Sequence, residues 1–267
     1  MIRQNLHMHS TWDDGACTAE AMIRASRDAG LESVGVSLHS PMPEPSDWAP
    51  DAACIPAFLA EMRALRRRFA GEIEVYAGIE WDVLSRVDLS PYDYVIGSVH
   101  QLLGMPAVDE SAQATERLIR VHFGGDADAA AEAYFAAYRQ VAENPRVDIV
   151  GHFDLITKFD EQRGFFRPDS PRYRRAALEA MDMLVGAGKI FEVNTGAISR
   201  GYRTSPYPAR ALLERLHAMG GRVTVSADAH HTSGVACAFG QAEALVRDCG
   251  FREIWVLEGK SFVPVRL

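Results

Sequence analysis

Short apolar runs alternate along the chain with longer segments in which apolar residues recur at helical spacing. The short runs are rich in Val and Ile and nearly continuous, which is typical of strands buried on both faces. They predict eight strands, at residues 5–9, 33–38, 73–79, 94–99, 147–150, 190–194, 222–226 and 253–257.

The segments between these strands have the start and stop signals of helices, namely capping residues, prolines and closing glycines. The predicted helices are residues 18–29, 55–69, 128–142, a segment from Ser170-Pro171 to Gly186 or Gly188, a segment from Ser205-Pro206 to Gly220-Gly221, and 233–249. Such alternation predicts a parallel sheet, and seven or eight units in this length favour a closed barrel. We expect residues 1–267 to form one barrel domain, with longer, substrate-covering loops at 101–127 and 157–170.

Composition narrows the class of protein. Of the 267 residues, 48% are hydrophobic and 24% are charged, which is enough apolar material for a globular core. The net charge of −8, without a basic stripe, argues against nucleic acid or an anionic membrane as a partner. No apolar run is long enough to predict a membrane span. The sequence shows no exposed apolar stripe, so it gives no prediction of the oligomeric state.

The cysteines and the first residues indicate in which cellular compartment the protein is expected. The four cysteines stand apart, and none forms a C-x-x-C pair, so we expect neither a disulfide framework nor a cysteine-type zinc knuckle. The first residues lead to His7 without an apolar signal segment. We therefore expect a reduced, cytoplasmic protein.

Six of the nine histidines stand at the carboxyl ends of predicted strands, and three carboxylates stand at the same level. The histidines are His7, His9, His39, His100, His152 and His230, and the carboxylates are Asp14, Glu80 and Asp228. All strand carboxyl ends open on one face of a parallel barrel, so these side chains should converge there. Crowding so many titratable groups without a metal would bring no packing benefit. The pattern predicts a multinuclear site for zinc, iron(II) or manganese.

The residues around these histidines resemble the motifs of the polymerase and histidinol phosphatase (PHP) superfamily, from His7 to His230. The motifs are His7-Met8-His9-Ser10, Asp14-Gly15, Leu38-His39-Ser40-Pro41, Gly78-Ile79-Glu80, Ile96-Gly97-Ser98-Val99-His100, Gly151-His152-Phe153-Asp154 and Asp228-Ala229-His230. Residues 78–82, 93–100, 148–159 and 192–195 resemble the histidinol-phosphate phosphatase branch in particular. Asp14 stands where several members of that branch have a histidine, and Asp14-Gly15 is the form of other branches.

The resemblance implies a distorted (β/α)7 TIM-like barrel with three divalent metal ions at the strand carboxyl ends. The first metal would be held by His7, His9, Glu80 and Asp228. The second would share Glu80 and add His100 and His152. The third would be held by Asp14, His39 and His230.

We expect the substrate to be a small phosphoester, in this branch L-histidinol phosphate. Three divalent cations and three carboxylate ligands leave a net charge of about +3, which suits a phosphate dianion together with a hydroxide. We expect the hydroxide to attack phosphorus in line. Asp228 or His230 is the expected proton donor for the leaving alkoxide. Arg200, then Lys158 and Arg163, are the expected phosphate-binding cations. Asp82, Asp154 and Glu192 are alternatives for meeting the cationic head of the substrate.

Other interpretations share part of this pattern. A related phosphatase for nucleotides, phosphotyrosine or another small phosphoester would have the same metal motifs. An amidohydrolase barrel also begins with His-x-His, but that class usually has a modified lysine at the fourth strand end, where this chain has Val99-His100. A non-catalytic, polymerase-associated or metal-buffering module is the third alternative, and the complete ligand set argues against it.

Overall fold

Seven parallel strands form the centre of the computed structural model, which describes residues 1–44 and 46–267. The strands are β1 (Gln4–Asn5), β2 (Ser33–His39), β3 (Glu74–Asp82), β4 (Tyr94–Ser98), β5 (Ile149–Val150), β6 (Ile190–Asn194) and β7 (Arg222–Ser226). They lie in chain order from β1 to β7, and every neighbouring pair is parallel. The parallel sheet predicted from the apolar runs is confirmed.

The sheet curls until its first and last strands meet. Just beyond β1, Met8 forms a parallel bridge with Ala229, which follows β7. The amide of His9 donates to the Ala229 carbonyl at 2.9 Å, and the Ala229 amide donates to the His7 carbonyl at 3.2 Å. Nearer the amino ends, the Asn5 side chain accepts from the Ala227 amide at 3.1 Å. The result is the nearly closed (β/α)7 barrel that was expected.

Helices connect the strands on the outside of the barrel. They are α1 (Ala19–Asp28), α2 (Ile55–Arg68), α3 (Ala112–Arg117), α4 (Ala127–Ala137), α5 (Arg139–Glu143), α6 (Asp160–Arg163), α7 (Pro171–Gly186), α8 (Gly196–Ser199), α9 (Arg210–Ala218) and α10 (Phe239–Asp248). None of these helices is both long and apolar enough to cross a membrane. Helices α3 and α6 lie in the two long loops predicted at 101–127 and 157–170.

Three predicted helices differ from those in the structure. The helix predicted at 233–249 begins only at Phe239, as α10, because a separate 3-10 turn at Thr232–Gly234 precedes it. The Ser205-Pro206 start is wrong, because Tyr207 exchanges two backbone hydrogen bonds with Asn194 in an antiparallel bridge at the carboxyl end of β6. Helix α9 therefore begins only at Arg210. The predicted helix 128–142 is divided at Tyr138 into α4 and α5.

The eighth predicted strand lies outside the barrel. Strand β8 (Glu253–Glu258) pairs antiparallel with β9 (Ser261–Arg266), which the sequence pattern did not predict. The Gln4 side chain makes two hydrogen bonds to the backbone of Leu257. Its Oε1 accepts from the Leu257 amide at 2.8 Å, and its Nε2 donates to the Leu257 carbonyl at 2.9 Å. Leu257 thereby packs with Leu6, Tyr76 and other residues inside the barrel. Placing this apolar side chain here removes it from water and closes the end of the barrel opposite the site.

Tyr94 fills the middle of the barrel. Its ring lies where a side chain at Gly35 or Gly78 would stand, so both positions require glycine. Its hydroxyl donates to the Leu6 carbonyl, which satisfies the one polar group of this buried side chain. The barrel interior is therefore a packed core, and a ligand can enter only at its mouth.

Candidate metal centre

The carboxyl ends of the strands place all nine predicted metal ligands at one mouth of the barrel. The ligand atoms form four overlapping groups, and within each group they lie within 4.8 Å of one another. The groups are His9, Asp14, His39 and His230; His7, Glu80 and His152; His7, His9 and Asp228; and His39, Glu80 and His100. The predicted residues thus converge. His9 and His39, however, each belong to two of these groups, whereas the resemblance assigned each of them to a single metal ion.

Glu80 stands at the centre of this arrangement. Its Oε1 lies 2.9 Å from His152 Nε2 and 3.2 Å from His100 Nε2. Its Oε2 lies 3.1 Å from both His7 Nε2 and His39 Nδ1. The Ser98 hydroxyl donates to Oε1 at 2.7 Å and so fixes the orientation of the carboxylate. A carboxylate with histidines on both oxygens can bridge two cations.

The buried polar atoms of the site fit metal ions. Among the described residues, Glu80 Oε2 makes no hydrogen bond of normal geometry, although it is close to three imidazoles. The same holds for His39 Nδ1, His100 Nδ1 and His152 Nδ1. The Nε2 atoms of His7 and His9 face each other at 3.1 Å. Buried polar atoms without partners are costly, and two facing nitrogen lone pairs repel. A shared cation removes both penalties, and imidazole with carboxylate suits zinc, iron(II) or manganese.

The electrostatics of the site also favour cations. Burial alone would lower the pKa of His7, but Glu192, Glu80 and Asp228 outweigh it and raise that pKa to about 10. Burial likewise opposes ionisation of Glu80, yet the imidazoles of His7, His100 and His39 hold its pKa well below the ordinary value. The field that stabilises a proton on His7 acts on any cation placed among the same carboxylates.

Burial dominates at His39. There burial, followed by the neighbouring His9, lowers the pKa to about 4. The neutral imidazole is the form that binds metal.

A second layer of carboxylates orients the histidine rings. Glu192 Oε1 lies 2.6 Å from His7 Nδ1, while its Oε2 accepts from the His152 amide at 2.9 Å. Asp13 Oδ2 lies 2.9 Å from His9 Nδ1 and accepts from the His39 amide at 2.9 Å. Such partners fix the tautomer and leave the other ring nitrogen free for a metal. The position of Asp13 next to Asp14 is the one signal in the sequence that could have indicated its role.

The three alternatives for meeting a cationic substrate head are wrong. Asp82, Asp154 and Glu192 are at most 1% exposed, and each accepts a hydrogen bond from inside the protein through at least one carboxylate oxygen. None of them lines the cavity at the mouth of the barrel. Carboxylates within or just after a strand can point into the barrel wall as easily as into a pocket.

The cavity at the mouth has a volume of about 560 Å³ and includes two of the three predicted cations in its lining. Arg200 donates to the Asp228 carbonyl at 2.8 Å and to Asp228 Oδ2 at 3.1 Å. Lys158 donates to the Asp109 carbonyl at 2.8 Å and lies 3.1 Å from the Asp109 carboxylate. Arg163 is exposed at the end of α6, outside the cavity lining. The structure therefore brings Arg200 and Lys158 to the metal centre, but not Arg163.

Asp228 and His230, the predicted proton donors, also line this cavity. His230 Nδ1 lies 3.6 Å from Asp228 Oδ1, and its Nε2 lies 3.2 Å from Asp14 Oδ1. Burial opposes ionisation of Asp228, but Arg200 and His7 hold its pKa well below the ordinary value. The carboxylate of Asp228 is therefore charged, which suits a metal ligand better than a proton donor.

Sequence analysis missed the outer part of the cavity. Trp48 lies against the rings of His39 and His100, with centroids 4.8 and 5.3 Å away. Around it the lining includes Tyr202 and the carboxylates Glu44, Asp47, Asp109 and Glu110. These residues come from loops, where no periodicity or motif indicates a site.

The family follows from comparison with known proteins. Residues 5–196 match the family described as the PHP domain. The chain belongs to this family, and the resemblance stated from its motifs is confirmed.

Two relatives that match most of the chain are named probable histidinol-phosphatases. The chain is 31% identical over 264 residues to the probable histidinol-phosphatase of Deinococcus radiodurans, covering 93% of this chain and 94% of the relative. It is 25% identical over 259 residues to the probable histidinol-phosphatase of Schizosaccharomyces pombe, covering 90% and 83%. A crystal structure of histidinol phosphate phosphatase from Lactococcus lactis, complexed with zinc, L-histidinol and phosphate, superposes with a TM-score of 0.76 at 20% identity, covering 98% of both chains. That likeness shows the shared fold.

Proposed function

We propose that this protein is a metal-dependent phosphomonoesterase that hydrolyses L-histidinol phosphate to L-histidinol and phosphate. The observation that carries the proposal is the convergence of nine ligands beside a cavity lined by Arg200 and Lys158. Metal ions with adjacent cations form a site for a phosphate dianion. The names of the relatives at 31% and 25% identity support the choice of substrate.

We propose three divalent ions, zinc, iron or manganese, held by the nine residues grouped around Glu80. When bound, the ions would lower the pKa of a coordinated water and stabilise the negative charge that develops on the phosphoryl oxygens. The residues of the chain set the geometry. Glu80 joins two groups of ligands, and Glu192 and Asp13 hold the rings of His7 and His9 in place.

Arg200 and Lys158 would bind the phosphate oxygens that the metals do not reach. Both side chains line the cavity, and each is held in place by an aspartate: Arg200 by Asp228 and Lys158 by Asp109. Asp228 and His230 remain the proposed source of the proton for the leaving alkoxide. Of the two, Asp228 is kept ionised by its pairing with Arg200.

The outer cavity favours a substrate with a cationic head. Trp48 presents an aromatic ring, and Glu44, Asp47 and Glu110 present carboxylates to the same cavity. An aromatic face and carboxylates attract an ammonium or a protonated imidazole. L-Histidinol phosphate has both an amine and an imidazole, whereas the base of AMP brings no cation at neutral pH.

The Trp48→Leu variant tests this assignment. We expect kcat/KM for L-histidinol phosphate to fall by about tenfold, because a cation–π contact in a desolvated pocket contributes on the order of 1–2 kcal/mol. Turnover of p-nitrophenyl phosphate, which has no cationic head, should change little. Trp255→Leu is the matched control, because Trp255 lies on β8, away from the cavity. An equal loss of kcat/KM on both substrates would show that Trp48 does not recognise the cationic head of the substrate.

A further inference from the structure

Asp228 has an unusual backbone conformation for a residue with a side chain. Its φ is +47°, in the left-handed region, which is unfavourable for residues other than glycine, although aspartate tolerates it better than most. Such a conformation persists only where the surrounding contacts fix the residue, and it is concentrated at functional sites. The contacts around Asp228 therefore determine where its carboxylate points.

Asn194, the last residue of β6, supplies one of these contacts and is fully buried. Its side-chain nitrogen donates to Glu192 Oε2 at 2.9 Å and, over a longer distance of 3.4 Å, to Asp228 Oδ2. Its side-chain oxygen accepts from the Gly196 amide at 2.8 Å. Because a backbone amide can only donate, this contact fixes which end of the Asn194 side chain faces the two carboxylates.

The two carboxylates that Asn194 joins lie at opposite nitrogens of the His7 ring. Glu192 Oε1 is 2.6 Å from His7 Nδ1, and Asp228 Oδ1 is 3.7 Å from His7 Nε2. Arg200 also donates to Asp228 Oδ2, at 3.1 Å, but that contact does not involve Glu192. Asn194 thus connects the orientation of a proposed metal ligand with that of the carboxylate that holds the His7 ring.

The backbone around Asn194 is itself well fixed. Asn194 and Tyr207 exchange two backbone hydrogen bonds, at 2.9 and 3.0 Å, and Asn194 is also paired with Ser226 of β7. A donor placed on a regular element with both neighbours in position is located more precisely than one on a free loop.

Gly196 leaves the space that this arrangement needs. A Cβ at this position would lie 2.8 Å from Asp228 Oδ2 and 3.0 Å from Arg200 Nη2, so one of these groups would have to move. The backbone of Gly196 is not in the left-handed region, so the requirement for glycine is one of space.

We propose that Asn194 is a positioning residue of the metal centre. Its side-chain nitrogen, together with the space at Gly196, directs Asp228 Oδ1 toward the histidines and keeps Glu192 on the His7 ring. Asn194 is fully buried, so it acts through these carboxylates and not on the substrate. This role rests on the metal ions of the proposed function, which Asp228 would help to hold.

The first test is the Zn²⁺ affinity of the metal-free Asn194→Ala variant, measured by competition with a chromophoric chelator. We expect the affinity for at least one ion to fall by about tenfold or more, as is usual when a partner behind a ligand is lost. Thr195→Ala is the matched control. Thr195 is also fully buried, but its hydroxyl donates to the Cys237 carbonyl at 2.8 Å and to no carboxylate. Thr195→Ala should therefore bind Zn²⁺ as the wild type does.

Denaturant unfolding of the metal-free proteins separates positioning from general stability. Wild-type Zn²⁺ affinity in Asn194→Ala, or an equal loss of affinity in Thr195→Ala, would overturn the proposal. A wild-type protein that binds no Zn²⁺ is a different result, because it would contradict the metal centre of the proposed function.

A second pair of variants changes the same place without removing a donor, and it decides the matter if Asn194→Ala does not fold. Gly196→Ala should displace the Asp228 carboxylate and lower the Zn²⁺ affinity by about tenfold. Gly234→Ala is the matched control, because a Cβ there would meet its nearest atom, Ala229 Cβ, at an ordinary 3.5 Å. Equal Zn²⁺ affinity in Gly196→Ala and Gly234→Ala would contradict the proposed role of this segment.

Discussion

Arg200 and Asp228 form an ion pair in which the two carboxylate oxygens of Asp228 face different partners. Arg200 Nη2 lies 3.1 Å from Asp228 Oδ2, while Asp228 Oδ1 lies 3.5 Å from His9 Nε2 and 3.7 Å from His7 Nε2. One carboxylate oxygen thus faces the candidate metal ligands, and the other holds a guanidinium at the cavity wall. The pair joins the metal centre to the proposed phosphate site.

Replacing Arg200 should separate substrate binding from metal binding. In Arg200→Ala we expect KM for L-histidinol phosphate to rise by roughly tenfold or more, because a hydrogen bond to a charged group contributes about 1.5–3 kcal/mol. Bound metal should stay at the wild-type level, because no proposed ligand is lost. Steady-state kinetics with metal analysis measures both. An unchanged KM would show that Arg200 does not contact the substrate.

Glu80 is expected to be indispensable. The Glu80→Gln variant keeps the size of the side chain but removes the charge that the surrounding imidazoles share. We expect turnover to fall below detection and bound metal, measured by elemental analysis, to decrease. Glu179→Gln, exposed on helix α7, is the matched control and should retain both. Near-wild-type activity in Glu80→Gln would contradict a bridging role.

Asp13 should act on metal affinity through His9. In Asp13→Asn an amide group can present N–H to His9 Nδ1, which favours the wrong tautomer of the ring. We expect metal affinity to fall by roughly ten- to a hundredfold, as is usual when such an outer partner is lost. Competition with a chromophoric chelator measures this without reference to activity. Wild-type affinity would mean that the contact between Asp13 and His9 does not position the ligand.

Asp160 should make stability depend on pH, away from the metal centre. Burial raises its pKa to about 7, against opposing hydrogen bonds from the Phe165 and Phe166 amides. The folded protein then binds more protons than the unfolded chain between about pH 4 and pH 7, so the free energy of unfolding falls as pH rises through that window.

The Asp160→Asn variant should remove this part of the pH dependence. Asn keeps an oxygen that can accept the same two amides, so the fold should be retained. Denaturant unfolding at several pH values measures the effect, with the exposed Glu179→Gln as the control. Parallel stability profiles for the wild type and Asp160→Asn would show that Asp160 does not titrate in this range.

The barrel was predictable because its strands are continuous apolar runs. Strands β6 and β7 have the predicted bounds, and β2 differs by one residue. The strand predicted at 5–9 is regular only at Gln4–Asn5, and the chain beyond it, which contains His7 and His9, keeps a single bridge at Met8. The helix expected at Ser205-Pro206 begins later because Tyr207 pairs with Asn194, a long-range contact that no local signal reports.

The convergence of the candidate metal ligands was predictable for a related reason. Strand ends converge in any parallel barrel, so a histidine such as His39 or His152 is located by the fold class alone. Glu192 was noticed but given the wrong role, since the sequence does not show on which side of the strand its carboxylate finds partners. Trp48 and Glu110 lie on loops, and only the folded chain shows that these loops meet over the cavity.

The most direct test of the account is a comparison of kcat/KM for L-histidinol phosphate, AMP and phosphotyrosine, with Mn²⁺ or Zn²⁺ added. We predict that L-histidinol phosphate is preferred by roughly a hundredfold or more, which corresponds to about 2.7 kcal/mol of transition-state preference. A preference for AMP or phosphotyrosine would contradict the proposed substrate while leaving the metal centre in place. Absence of metal-dependent hydrolysis of all three would contradict the proposed phosphomonoesterase itself.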